Sequence, residues 1–149
     1  MKIEEFLFEA GVDPKDEVPS SGTHAYDSYE VIQDVPYLED GARNPYHQLD
    51  VYVPRKSKQQ QQEQLFKVIF FAHSGGWQRG DKKSAFYGAP SFSKNLALRG
   101  YLVVNANYSL AGLGSSVKFP EIIGDIAAAV AWTRKNIQAF ANGDPDNIL

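Results

Sequence analysis

The chain is predicted to fold as an α/β layered sheet. Three observations support this. The segments Lys67–Ala72 and Tyr101–Tyr108 are apolar almost without alternation, as strands covered on both faces are. A helix-length segment follows each, giving the order β-α-β-α. The first of these strands runs straight into a glycine-rich turn, His73-Ser74-Gly75-Gly76-Trp77-Gln78-Arg79-Gly80-Asp81-Lys82.

Taken in order, Lys2–Ala10 reads as a short helix ended by Gly11 and Pro14, and Asp13–His24 as loop. Glu30–Tyr37 is the first predicted strand. Gln48–Pro54 alternates at period 2 and is the second. The turn residues Gly41–Pro45 between them predict an antiparallel pair. Arg55–Gln64, with its Gln59–Gln62 run, is expected to lengthen a surface loop. Lys67–Ala72 is the third strand, Ser84–Arg99 a helix stopped by Gly100, and Tyr101–Tyr108 the fourth strand. A loop with Gly112, Gly114, Ser115 and Ser116 leads to a helix over Phe119–Asn142, with Pro120 in its first turn. Ile122, Ile126, Val130, Ile137 and Phe140 form its apolar stripe, and Ala127, Ala128, Ala129 and Ala131 allow close approach to a sheet. Gly143-Asp144-Pro145 is expected to stop it, and Asn147-Ile148-Leu149 to enter another strand. Residues 1–45 therefore form an extension with the first strand, and 46–149 the main α/β unit.

The 149 residues suffice for one domain with a real core; 43% are hydrophobic and 22% charged, as in a soluble globular protein. A net charge of −3 argues against a general nucleic-acid or anionic-membrane binder. With no cysteine, disulfides, thiol nucleophiles and thiolate metal sites are excluded. The acidic start Met1-Lys2-Ile3-Glu4-Glu5-Phe6 lacks an apolar leader core, and no stretch approaches membrane-spanning length. A cytoplasmic protein is the expectation. His24 and His47 have no ligand partners at metal spacing, so no metal or cofactor is expected.

The turn after the third strand carries the chemistry. Adjacent glycines leave their backbone N–H groups sterically open, which is what an oxyanion hole needs as a carbonyl oxygen gains charge. A phosphate loop is the rival reading, since Gly75 and Gly80 have Gly-x4-Gly spacing. Asp81 stands where that motif requires lysine, and Lys82-Lys83 comes one residue late.

With these landmarks the chain resembles the N-terminal half of an α/β-hydrolase of the esterase/lipase and kynurenine-formamidase-like group. The resemblance covers about Gln48 to Leu149. It rests on Leu49-Asp50-Val51-Tyr52-Val53-Pro54, the His73 loop, Gly80-Asp81-Lys82, Gly100-Tyr101, Asn107-Tyr108, Phe119-Pro120, Asp125, Trp132 and Gly143-Asp144-Pro145. It implies a partial hydrolase sheet, holding the first four strands and first two helices and ending before the nucleophile elbow. It places the oxyanion-hole donors on Gly75 and Gly76, with His73, Ser74, Trp77 and Asp81 in support. Ser74 departs from the family's usual glycine, and Ser109 from the arginine usual after Asn-Tyr.

No serine lies in Gly-x-Ser-x-Gly; Gly114-Ser115-Ser116-Val117-Lys118 supplies half the pattern and follows the wrong strand. The triad order in this fold is Ser, acid, His, so His73 comes too early to be the base. Asp125 reads as a structural acceptor tying its helix to a loop, Trp132 as core, and Trp77 and Tyr108 as core at the edge of an acyl pocket. The function implied is that of a serine hydrolase acting on carboxylic esters or N-acyl and formyl amides, with nucleophile, acid and base outside this chain. A catalytically inactive binding or regulatory module is the second reading, and a Rossmann-type nucleotide binder a disfavoured third. The resemblance implies that the third strand lies between the fourth and a fifth that follows Leu149. Without that fifth strand its outer edge would lie open, so self-association through that edge is expected.

Overall fold

The computed structural model describes residues 23–25, 28–55, 64–88 and 90–149. Six strands form one mixed sheet: β1 (Thr23–Ala25), β2 (Tyr29–Pro36), β3 (Gln48–Pro54), β4 (Phe66–Ala72), β5 (Leu102–Ala106) and β6 (Gly143–Ile148). Their spatial order is β1-β2-β3-β5-β4-β6. β2 and β3 pair antiparallel, Tyr29 opposite Pro54 and Pro36 opposite Gln48, with a register shift between Ile32 and Val35. β3 and β5 are antiparallel, whereas β4 is parallel to both β5 and β6.

Two helices cover opposite faces. Helix α1 (Pro90–Leu98) sends Ala97 onto Val31, Tyr52 and Val103. Helix α2 (Phe119–Ala141) sends Ala129 and Ile137 onto Leu49, Val51, Val68, Leu102 and Val104. The alternation of Leu102, Val103 and Val104 between the two clusters follows from the period-2 strand, and every residue of β5 is buried.

All four predicted strands are present, and the first two are antiparallel as expected. The helix expected over Ser84–Arg99 begins only at Pro90. Residues before it fold back as turns: the Ser84 N–H donates to the Asp81 carbonyl and the Gly88 N–H to that of Ser84. A Cβ on Gly88 would meet the Asp81 and Lys82 oxygens at 2.3 Å, so this packing needs glycine. The buried stripe of α2 is Ile122, Ala129, Thr133 and Ile137. Ile126 and Val130 are half-buried and Phe140 is exposed, so they do not form the expected core row. Thr133 is tolerated because its hydroxyl donates to the Ala129 carbonyl at 2.8 Å.

Asn142, in the left-handed region at φ 59°, ends α2, and Gly143 already belongs to β6. A Cβ on Gly143 would stand 2.8 Å from Ile137 Cγ1 and 3.0 Å from Val68 Cγ2, which explains glycine there. The outer edge of β4 is therefore not open as expected. Phe66 N–H donates to the Asn142 carbonyl, Leu149 N–H to that of Val68, and Phe70 N–H to that of Leu149. His24, read as loop, lies in β1. The helix expected at Lys2–Ala10 and the Gln59–Gln62 tract fall outside the described residues. No helix among the described residues is long and apolar enough to cross a membrane.

Candidate active site

β4 delivers the chain to His73 at the carboxyl end of the parallel strands, where open α/β sheets hold ligands. Gly75 has φ 128°, Gly76 φ 62° and Gly80 φ 111°, conformations that disfavour a side chain. At Gly75 a Cβ would lie 1.9 Å from the Arg79 carbonyl oxygen. Trp77 takes φ 61° without being glycine, a strained setting of the kind found at ligand-binding turns. Among the described residues, neither the Gly75 nor the Gly76 N–H has a partner within the protein. Two successive backbone donors at the end of β4 are thus without a protein partner among the described residues.

The residues around them hold the turn. His73 is buried, and its ring stacks on Tyr108 with centroids 4.3 Å apart and planes 11° apart. The Tyr108 hydroxyl donates to the His73 carbonyl at 2.7 Å. His73 Nδ1 lies 2.7 Å from the Ser74 carbonyl oxygen, so this nitrogen carries the proton; Nε2 is buried without a partner. Burial lowers the His73 pKa and keeps the ring neutral. Ser74 accommodates the departure from glycine, its N–H and hydroxyl both donating to the Tyr87 carbonyl at 3.0 and 3.2 Å. The Asp81 carboxylate accepts from the Lys83 N–H at 2.8 Å and from Asn107 Nδ2 at 2.7 Å. Trp77 is not core: it is 50% exposed and meets Phe119 edge-on at 5.8 Å. Tyr108 is core, and Trp132 is half-buried against the α2 side of the core.

A pH dependence follows from His73. The unfolded chain takes up a proton as pH falls through the ordinary histidine pKa of about 6.5; the folded chain does so only lower. The stability contributed is complete above that value and is lost as pH falls through the folded pKa. Wild-type chain is expected to lose more of its guanidinium midpoint between pH 7.5 and 5.5 than His73→Phe. Equal losses would mean that the buried ring does not resist protonation.

Several groups absent from the sequence reading of the site lie beside this loop. Lys82 is 1% exposed, its Nζ 2.5 Å from Asp34 Oδ1 and 2.9 Å from Asp50 Oδ1, and Asp50 is fully buried. Burial raises Asp50 and alone would lower Lys82; Asp50 and Asp34 together outweigh it at the ammonium, whose pKa is raised. Lys82 is therefore charged. In the sequence, Asp50 sits in an alternating strand and Lys82 in a charge run, both of which signal solvent.

Ser109 Oγ lies 3.3 Å from His47 Nε2, and His47 Nδ1 2.5 Å from Asp40 Oδ1, the connectivity of a Ser-His-Asp relay. Asp125 opposes that use. Its Oδ2 is 3.4 Å from the same Nε2 and accepts the Ser109 N–H at 2.9 Å. A carboxylate there puts negative charge where an oxyanion on Ser109 chemistry would need donors. Asp125 does tie α2 to the loop after β5, as expected. The hydrogen bond from His47 and then that from Asn44 hold Asp40 below the ordinary carboxylate range. A cavity of about 380 Å³, lined in part by Tyr46, Gln78, Ser109, Leu110 and Leu113, opens between this cluster and the loop.

Residues 49–149, more than half of the chain, match the BD-FAE family. The chain belongs to the BD-FAE family. Its BD-FAE segment takes in every residue of the His73 loop and all of β4, β5, β6 and both helices. A search of the curated proteins found no match. Among solved structures, the BD-FAE chain is 28% identical to a bifunctional GH43-CE protein of Bacteroides eggerthii, with TM-score 0.63 over 79% of this chain and 15% of that one. It is 25% identical to a truncated carbohydrate esterase from gut microbiota, with TM-score 0.62 over 85% of this chain and 40% of that one. Esterase B of Lactobacillus rhamnosis, 20% identical, shares the fold, with TM-score 0.66 over 99% of this chain and 45% of that one. The BD-FAE chain thus spans less than half the length of each. The fold is a partial α/β-hydrolase sheet, and the domain is an esterase-like hydrolase domain.

Proposed function

We propose that this domain supplies the oxyanion-stabilising part of a serine hydrolase site, with Gly75 and Gly76 N–H donating to the carbonyl oxygen of a carboxylic ester or an N-acyl or formyl amide. The observation that carries the reading is the pair of unpartnered N–H groups at the end of β4. His73, Ser74, Trp77 and Asp81 shape the turn that presents them. The attacking serine, its base and its acid come from residues other than these, since no serine here lies in Gly-x-Ser-x-Gly. The Gly75 and Gly76 donors act as charge moves onto the carbonyl oxygen, when fixed dipoles stabilise it most. A second reading, a catalytically inactive binding or regulatory module, is favoured by β6, which closes the edge of β4 within the chain itself.

The test has two parts. The purified 149-residue chain is expected to stay unlabelled by a fluorophosphonate probe. Stoichiometric labelling would place a nucleophile within it, with Ser109 the first residue to map. In an active hydrolase containing this domain, Gly76→Pro deletes one donor and is expected to lower kcat on a p-nitrophenyl ester by about 100- to 1000-fold. Full turnover with the fold intact would end the oxyanion assignment, and absence of hydrolase activity from every protein form that contains this domain would favour the module.

A further inference from the structure

Segment 81–88 is fixed from three sides. The Lys82 N–H donates to Asn107 Oδ1 at 2.6 Å. Asn105 Nδ2 donates to the Gly88 carbonyl at 2.8 Å and, at 3.3 Å, to that of Lys82. Asn105 lies in β5 and Asn107 just past its last residue, so this strand and its exit grip the segment through side-chain amides. The Lys82 side chain then crosses to β2 and β3. Its ammonium meets Asp34 and Asp50, while Asp50 Oδ1 also accepts the Asp34 N–H at 2.9 Å. Asp34 has φ 58° and sits within the register shift of β2, so the bulge turns its carboxylate-bearing backbone toward this cluster.

The anchored segment bears directly on the donor loop. A Cβ on Gly80 would lie 2.5 Å from His73 Nδ1 and 2.5 Å from the Ser74 carbonyl oxygen, so Gly80 is packed flush on the residues that lead into Gly75. From the other side, the Tyr87 carbonyl holds Ser74. A shift of Lys82 would therefore move Gly80, and with it His73 and Ser74.

We propose that Lys82 is the positioning residue of the donor loop: its buried ammonium, shared between Asp34 and Asp50 on neighbouring strands, fixes Gly80 against His73 and so sets the direction of the Gly75 and Gly76 N–H groups. This rests on the oxyanion reading above. Lys83, 29% exposed and bonded only to Asp34 Oδ2 at 2.7 Å among these carboxylates, is the natural control.

The decisive measurement is backbone ¹⁵N relaxation on the folded 149-residue chain, which reports native-state order whatever the global stability. In the wild type, Gly75, Gly76 and Gly80 are expected near the rigid order parameter of about 0.85. In Lys82→Met they are expected to fall below about 0.6, with Val103–Ala106 unchanged. Lys83→Met is expected to leave both sets in place. Unchanged glycines in Lys82→Met would overturn the proposal, and so would an equal loss across β5, which marks a merely structural role. Should Lys82→Met not fold cooperatively, Asp34→Asn keeps the volume and the Lys82–Asp50 contact and decides instead: a loss of order confined to residues 74–80 supports the proposal, and none overturns it. Relaxation is read without turnover, so a rigid loop with no oxyanion role would fail the Gly76→Pro assay and pass this one.

Discussion

Asp50→Ala is expected to destabilise the domain by about 3–5 kcal/mol, the usual cost of leaving one member of a buried ion pair uncompensated. Asp50 is fully buried and accepts from both the Lys82 ammonium and the Asp34 N–H. Its removal leaves Lys82 with Asp34 alone in a site almost closed to water, and strips the bulge of β2 of a backbone partner. The desolvation already suffered by the ammonium is then poorly offset. Urea melts measure the loss directly. The double variant Asp50→Leu/Lys82→Met is expected to be less damaged than Asp50→Ala, because removing both charges leaves no ion stranded. A double variant worse than either single change would show that packing volume, rather than charge, governs the cluster.

Gly75→Ala is expected to dismantle the donor loop, and Gly76→Ala to bend it only slightly. Both glycines have positive φ, so each alanine carries backbone strain of about 1–3 kcal/mol. They differ in what the new methyl meets. At Gly75 it would lie 1.9 Å from the Arg79 carbonyl oxygen, a backbone atom that cannot step aside without moving the turn. At Gly76 nothing lies within 4 Å. Gly75→Ala therefore forces the 75–79 turn open and breaks the Gln78 N–H bond to the Gly75 carbonyl. The amide resonances of Ser74–Gly80 should shift widely in Gly75→Ala and only near the substitution in Gly76→Ala. Comparable spectra for the two variants would contradict the packing of Gly75 on Arg79.

The sequence was most readable where one physical demand dominates. Val68–Phe71 and Leu102–Val104 are apolar on both faces because helices cover both, and that pattern has few alternative explanations. Gly75 and Gly80 were recognisable because only glycine meets the backbone approach found there. The reading was weaker where opposite demands share one residue type. Asp144, Pro145 and Asp146 have turn chemistry, yet they form β6, since α2 returns the chain alongside the free edge of β4. Ser84–Gly88 has a composition that continues a helix, but Asn105 and the close approach at Gly88 hold it in turns. Asp50 and Lys82 carry charge, and one-dimensional patterning sends charge outward. Their burial depends on a three-way pairing across residues 34, 50 and 82 that no local window contains.

The sheet order has a consequence in time. β4 lies between β5 and β6, and both partners are made after it. β2 and β3 can pair as soon as they are synthesised, but Val68-Ile69-Phe70-Phe71 must wait for Leu102–Ala106 on one side and Gly143–Ile148 on the other. About 70 residues separate Ala72 from Gly143, so at roughly 5–20 residues per second the second partner arrives some 4–14 s later. For that interval the most apolar strand of the domain lacks a neighbour on at least one flank, and the nascent chain is then at its most vulnerable to misassembly.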